Sequence, residues 1–111
     1  MNLRRGDIVY VAVKGPYTTK PRPVVVVQAT ATLELMESVT VCPITSVEVD
    51  ATFVRIPVAA GQRSGLDRTS WIMADKIVTV PSAALKSPAV GRLDSQELAQ
   101  LEDALRNWLD L

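Results

Sequence analysis

Four consecutive valines, Val24-Val25-Val26-Val27, constrain this chain more than any other segment. β-Branched side chains sit easily on an extended backbone and crowd a helix, so the run reads as a strand, opened by Pro23 and ending near Gln28. Successive strand side chains point to opposite faces. An unbroken apolar run therefore needs cover on both faces and belongs in the middle of a sheet. With 111 residues the chain has room for one core, and residues 1–111 are taken as a single domain.

The remaining segments predict a small, mainly β domain with one terminal helix. Asp7 to Val13 reads as the first strand, ended by Lys14-Gly15-Pro16 and a polar loop running to Pro21. Val39 to Ile44 alternates, with Pro43 near a strand end. Phe53 to Pro57 is a further strand, and residues 59–65 form a loop whose two glycines suggest a sharp reversal. Ser70 to Val80 is the last long strand or strand pair, and Ser82 to Lys86 is a helical turn. Asp94 followed by Glu97 is a capping-box pair. After it, Leu98, Leu101, Leu105 and Trp108 fall at 3-4-3 spacing, an apolar stripe that predicts a helix packed on the sheet, with Trp108 buried. Short strands between turn signals fit a small antiparallel barrel or sandwich.

Composition narrows the chemistry. The chain has no histidine and one cysteine, Cys42. Histidine bases, Ser-His-Asp triads, His-ligated zinc and an intramolecular disulfide are thereby excluded. No apolar stretch approaches the roughly 20 residues of a membrane span, and the N-terminal residues lack a signal-peptide core, so a soluble cytoplasmic protein is expected. Net charge is zero, from 12 basic and 12 acidic residues, but unevenly spread. Residues 1–30 carry +4 (five basic, one acidic) and 61–92 carry +3 (five basic, two acidic), against −3 for 31–60 and −4 for 93–111. If the two basic stretches meet in space, they form one anion-binding surface on a neutral molecule.

Three segments hold candidate site residues. In Lys20-Pro21-Arg22-Pro23 a guanidinium fixed between prolines is a preorganised fork for a phosphate; pairing with a nearby carboxylate is its alternative use. Thr45-Ser46 ends a strand with two hydroxyls, suited either to a phosphoryl oxygen or to capping a turn. Ser64-Gly65-Leu66-Asp67-Arg68-Thr69-Ser70-Trp71 combines glycine, arginine and tryptophan, a mixture that clamps single-stranded nucleic acid, although Trp71 serves equally well as core.

Four segments in order resemble the MazF/PemK toxins: Arg5-Gly6-Asp7-Ile8-Val9-Tyr10-Val11; Lys20-Pro21-Arg22-Pro23-Val24-Val25-Val26-Val27; Cys42-Pro43-Ile44-Thr45-Ser46; and Ser64-Gly65-Leu66 with the stretch from Ser70-Trp71 to Val80. The resemblance continues through Val90-Gly91-Arg92-Leu93 into the terminal helix. It implies a homodimer of small SH3-like antiparallel β-barrels of the MazF/CcdB toxin type. It further implies a ribosome-independent endoribonuclease, the toxin of a type II toxin–antitoxin pair, cutting single-stranded RNA at a short sequence. The reaction it implies needs neither metal nor cofactor: the substrate's 2′-hydroxyl attacks the adjacent phosphate, leaving a 2′,3′-cyclic phosphate and a 5′-hydroxyl. By position Arg22 and Thr45 match the family's catalytic Arg and Thr, and Asp75 matches an acid some members use. Lys20, Ser46, Ser64 and Arg68 are then the RNA-binding candidates, and a cognate antitoxin with an acidic tail is the expected partner. The chain departs from the family in two places. Lys14 to Lys20 lacks the Gly-Ser-Glu-Gln type of loop, and Met73 stands where some members carry a catalytic Arg.

Two other functions suit the same fold. CcdB toxins poison gyrase and resemble one another through a Trp-Gly-Ile ending, where this chain has Asn107-Trp108-Leu109-Asp110-Leu111. A non-catalytic barrel that binds a partner or RNA is the second.

Overall fold

The computed structural model describes residues 2–12 and 20–111, so Val13 and the loop residues 14–19 lie outside the described residues. Along the chain run β1 (Asp7–Val11), β2 (Arg22–Val26), β3 (Ser38–Thr45), β4 (Arg55–Val58), β5 (Ser70–Met73), β6 (Val78–Pro81), β7 (Leu85–Arg92) and α1 (Ser95–Leu109). Short 3₁₀ turns occupy Thr30–Thr32 and Ser82–Ala84.

The valine run behaves as its pattern requires. β2 lies between β1 and β3, antiparallel to both, and Val24, Val25 and Val26 are all buried. Val25 faces one apolar cluster with Ile8, Cys42, Ile72 and Leu101, while Val24 and Val26 face another with Val9, Val11, Val39 and Val41. The strand thus separates two cores, which is why neither of its faces is polar.

The sheet order is β4-β5-β3-β2-β1-β7, with β6 also paired to β3. β3 is the pivot: Ser38–Val41 pairs with β6, Val41–Pro43 with β2 on its other edge, and Ile44 and Thr45 with β5. The sheet curls as a barrel does, yet no ladder joins β4 to β7 among the described residues. The loop 59–68 spans that opening. Arg92 N–H donates to Arg63 O at 2.9 Å, and the backbone of Gly91 packs directly on that of Ser64.

The expected strand pair 70–80 is β5 and β6. β7 was not expected. Its Pro88 and Gly91 read as breakers, and only Leu85 of its eight residues is buried, as suits an edge strand carrying little hydrophobic signal. Phe53 lies in a turn, 68% exposed, and the predicted strand begins two residues later at Arg55.

The Asp94–Glu97 capping box is present in both directions, at 2.7 and 2.9 Å. α1 buries Leu101 and Ala104, flanked by half-buried Leu98 and Leu105. Trp108, expected to be buried, is 50% exposed. The last turn of α1 has no buried residue, so the stripe loses its core partner before reaching Trp108.

Candidate active site

A groove of about 610 Å³ opens where β2 begins and β3 ends. One wall is Tyr10 and the segment Lys20–Pro23, the floor is Pro43–Val47, and the opposite wall is Leu66–Arg68 with Ser70 and Met73. The register of β2 on β3 accounts for its centre. Val24 lies opposite Pro43 in the last pair of that ladder, and the residues two beyond it on each strand, Arg22 and Thr45, both line the groove. The two basic stretches of the sequence therefore meet, since Lys20 and Arg22 come from one and Arg68 from the other.

Arg22 is exposed, and among the described residues its guanidinium makes no hydrogen bond or ion pair. Its alternative use, pairing with a carboxylate, is not realised. The acids that pair take other cations: Glu102 takes Arg5, Asp75 takes Arg55, Asp94 and Glu97 take Arg63, and Asp103 takes Arg106. Thr45 Oγ1 accepts a hydrogen bond from Val47 N–H at 3.1 Å, so the turn-capping reading holds, and the hydroxyl keeps its own proton to donate into the groove. Ser46 is exposed on the same floor.

Arg68 is exposed on the opposite wall, with Asp67 beside it. Its main chain is fixed by Ser70, whose hydroxyl donates to Arg68 O at 2.9 Å. Ser70 is a buried groove residue that sequence reasoning passed over, because one serine at a strand start carries no distinctive signal. Tyr10 was missed for the same reason, reading as an ordinary strand residue until pairing places it in the groove wall, and Met73, noted in the sequence only as a departure from the family, lines the groove as well.

Two expected site residues lie elsewhere. Ser64 is 1% exposed, and its hydroxyl donates to Ala59 O at 2.7 Å and accepts from Leu66 N–H at 3.3 Å. It shapes the loop that carries Arg68, and burial denies it contact with a substrate. Asp75 sits in the turn after β5, outside the residues lining the groove, in an ion pair with Arg55. The partner side chains are 13% and 15% exposed, and Arg55 Nε is buried without a hydrogen-bond partner. Because losing one member of a buried pair strands the other charge, Asp75→Asn is expected to cost about 2 kcal/mol of stability. Urea unfolding reads that loss, and the folded protein should keep the wild-type rate of the RNA cleavage that the resemblance implies. A collapse of rate at unchanged stability would instead make Asp75 part of the chemistry.

Cys42 is fully buried in the core, where burial first and the Asp75 carboxylate second push its thiol up from 9.0 to about 12. It is packing rather than a nucleophile. Among the described residues no group of three or more Cys, Asp or Glu side chains is placed to hold a metal ion.

Comparison with known proteins gives the family and the fold. The family model described as PemK-like, MazF-like toxin of type II toxin–antitoxin system matches residues 4–109. The "Probable endoribonuclease MazF" of Mycolicibacterium smegmatis is 38% identical over 109 residues, covering 98% of each chain. In fold, the chain is similar to the crystal structure of MazE–MazF (form III) from Deinococcus radiodurans, with a TM-score of 0.84 at 17% identity, covering 100% of this chain and 99% of that one. It is also similar to an endoribonuclease in complex with its cognate antitoxin from a mycobacterial species, with a TM-score of 0.77 at 21% identity, covering 98% and 96%. A match that spans β1 to α1 and includes both groove walls leaves one assignment: the chain belongs to the PemK-like, MazF-like family of type II toxins.

Proposed function

We propose that this protein is the toxin of a type II toxin–antitoxin pair and an endoribonuclease that cuts single-stranded RNA in the groove between Arg22 and Thr45. The observation that carries the reading is a groove with cations on both walls whose lining includes both an uncommitted guanidinium, Arg22, and the Thr45 hydroxyl. The relationship to a protein named an endoribonuclease, across nearly the whole chain, supports it.

The chemistry suits these groups. The 2′-oxygen of the substrate attacks the adjacent phosphorus and the bond to the 5′-oxygen breaks, leaving a 2′,3′-cyclic phosphate and a 5′-hydroxyl. Negative charge builds on the non-bridging oxygens in the transition state, and the Arg22 fork is shaped to receive two of them. Thr45 donates one further hydrogen bond to the same group. Lys20, Ser46 and Arg68 hold the strand on either side, and their attraction for phosphate weakens as salt rises.

The protein works in the cytoplasm as a homodimer, without metal. It is held inactive by an antitoxin whose acidic, unfolded tail covers the basic groove walls and folds as it binds. No observation favours gyrase poisoning. The exposure of Trp108 removes burial as an argument against it, and the relationship to MazF endoribonucleases decides between the two.

The test is incubation of the purified protein with a long single-stranded RNA in EDTA, with chemical mapping of the ends. Discrete cuts bearing 2′,3′-cyclic phosphate are expected. RNA that stays intact across substrates covering all short words would sink the reading.

A further inference from the structure

Beside the groove, across β1, lies a second depression of about 510 Å³, within the range of ordinary ligand sites. It shares Tyr10, Lys20 and Pro21 with the groove and adds Lys86, Pro88 and Val90 from β7. Its surface is mostly apolar, and its charged lining groups are both lysines.

Strand register explains how the two depressions join. Tyr10 lies opposite Pro23 on one side and opposite Lys86 on the other. Cross-strand partners share a sheet face. Pro23, Tyr10 and Lys86 therefore form one row over three neighbouring strands, about 10 Å long at the usual strand spacing, starting at the residue that follows Arg22 in β2. The shelf owes its shape to an irregularity in the same ladder. Ile8 pairs with Gly91 and Tyr10 with Lys86, so residues 87–90 of β7 oppose Val9 alone. Bulged backbone of this kind re-aims side chains, and here it brings Pro88 and Val90 to wall the shelf.

Building on the RNA-cleaving reading of the groove, we infer that this shelf is a second nucleotide subsite, which takes the RNA residue flanking the cut on one side. Tyr10 and the apolar wall supply a surface on which any base stacks, and Lys86 supplies the charge for its phosphate. Two features point to this occupant. The shelf shares Tyr10, Lys20 and Pro21 with the groove, and its charge is positive where a running strand would bring a phosphate. Subsites of this kind add affinity with little regard to sequence, since every base has a face to stack.

The experiment uses the full chain and fluorescent 2′-O-methyl RNA of randomised sequence, four and eight nucleotides long, in which no 2′-hydroxyl can attack. Anisotropy should show the longer RNA binding about tenfold more tightly to the wild type. Lys86→Gln, a change at an exposed residue, should remove most of that gain and leave the short RNA unaffected. The salt dependence of the longer RNA should also fall by about 0.7 in logarithmic slope. Lys86→Gln retaining the full gain, or no gain with length in the wild type, overturns the inference; an acidic peptide as true occupant would give the first of these results. Ribose RNA run in parallel separates the two readings. RNA left uncut with a Lys86-dependent gain removes the cleavage reading alone, and RNA cut with a Lys86-independent gain removes the subsite alone.

Discussion

Arg22→Ala is expected to slow RNA cleavage about a thousandfold or more, because cationic groups that meet transition-state charge on a transferring phosphoryl group are worth that much. Three observations set the size. The guanidinium is uncommitted among the described residues, so it is free to meet a phosphate rather than hold the fold. It stands at the first position of β2, directly after Pro21 and before Pro23, so little backbone freedom remains to be lost on binding. Neither of the other cations lining the groove replaces its fork: Lys20, on the same wall, carries a single ammonium that cannot grip two phosphoryl oxygens side by side, and Arg68 is on the opposite wall. For the same reasons the fold should not suffer: removing an exposed, unpaired side chain changes stability by less than about 0.5 kcal/mol. Arg22→Lys separates the two parts of the role. It keeps the charge and loses the fork, and should recover only a small part of the rate. Initial rates on a defined RNA, with a thermal melt beside them, check both halves. A rate within tenfold of wild type in Arg22→Ala would move the chemistry out of this groove.

The elements legible in the sequence are those whose signal is local. The valine run fixes β2 as central because four β-branched residues need cover on both faces, and the Asp94–Glu97 box fixes the start of α1 because both partners lie within one turn. What depends on pairing was less legible. β7 has a proline, a glycine and mostly exposed side chains, so nothing within residues 85–92 marks it as a strand; its place comes from its partner β1. Trp108 has the right spacing for burial, but spacing cannot tell where a helix leaves its core. The site follows the same division. Arg22 and Thr45 were readable as motif residues at strand ends, whereas Tyr10, Ser70 and Met73 enter the groove only through the curl of the sheet. Ser64 and Asp75 show the converse. Both are polar residues in motif segments, and their partners, Ala59 O and Arg55, are contacts that a linear pattern does not reveal.

Gly91→Ala is expected to destabilise the domain by about 4 kcal/mol or more, a large share of the 5–15 kcal/mol typical of small proteins. A Cβ at Gly91 would lie 2.2 Å from the carbonyl carbon and oxygen of Ser64 and 2.4 Å from Arg63 O. All three are backbone atoms, so no change of rotamer relieves the clash and the loop must move as a unit. That movement breaks the 2.9 Å bond from Arg92 N–H to Arg63 O, the backbone contact by which the loop bridges the open side of the sheet. It also shifts Leu66–Arg68, the far wall of the groove, so the protein that remains folded should bind RNA more weakly. Gly61→Ala provides the scale. Nothing lies within 4 Å of a Cβ there, and its φ of +143° leaves only the conformational penalty, about 1–3 kcal/mol. Urea titrations of both variants measure the difference, with the midpoint falling and the slope unchanged if the denatured state is unaffected. Similar costs for the two variants would mean that the loop yields easily, and that the barrel's open side is held by something other than the contact of Gly91 with Ser64.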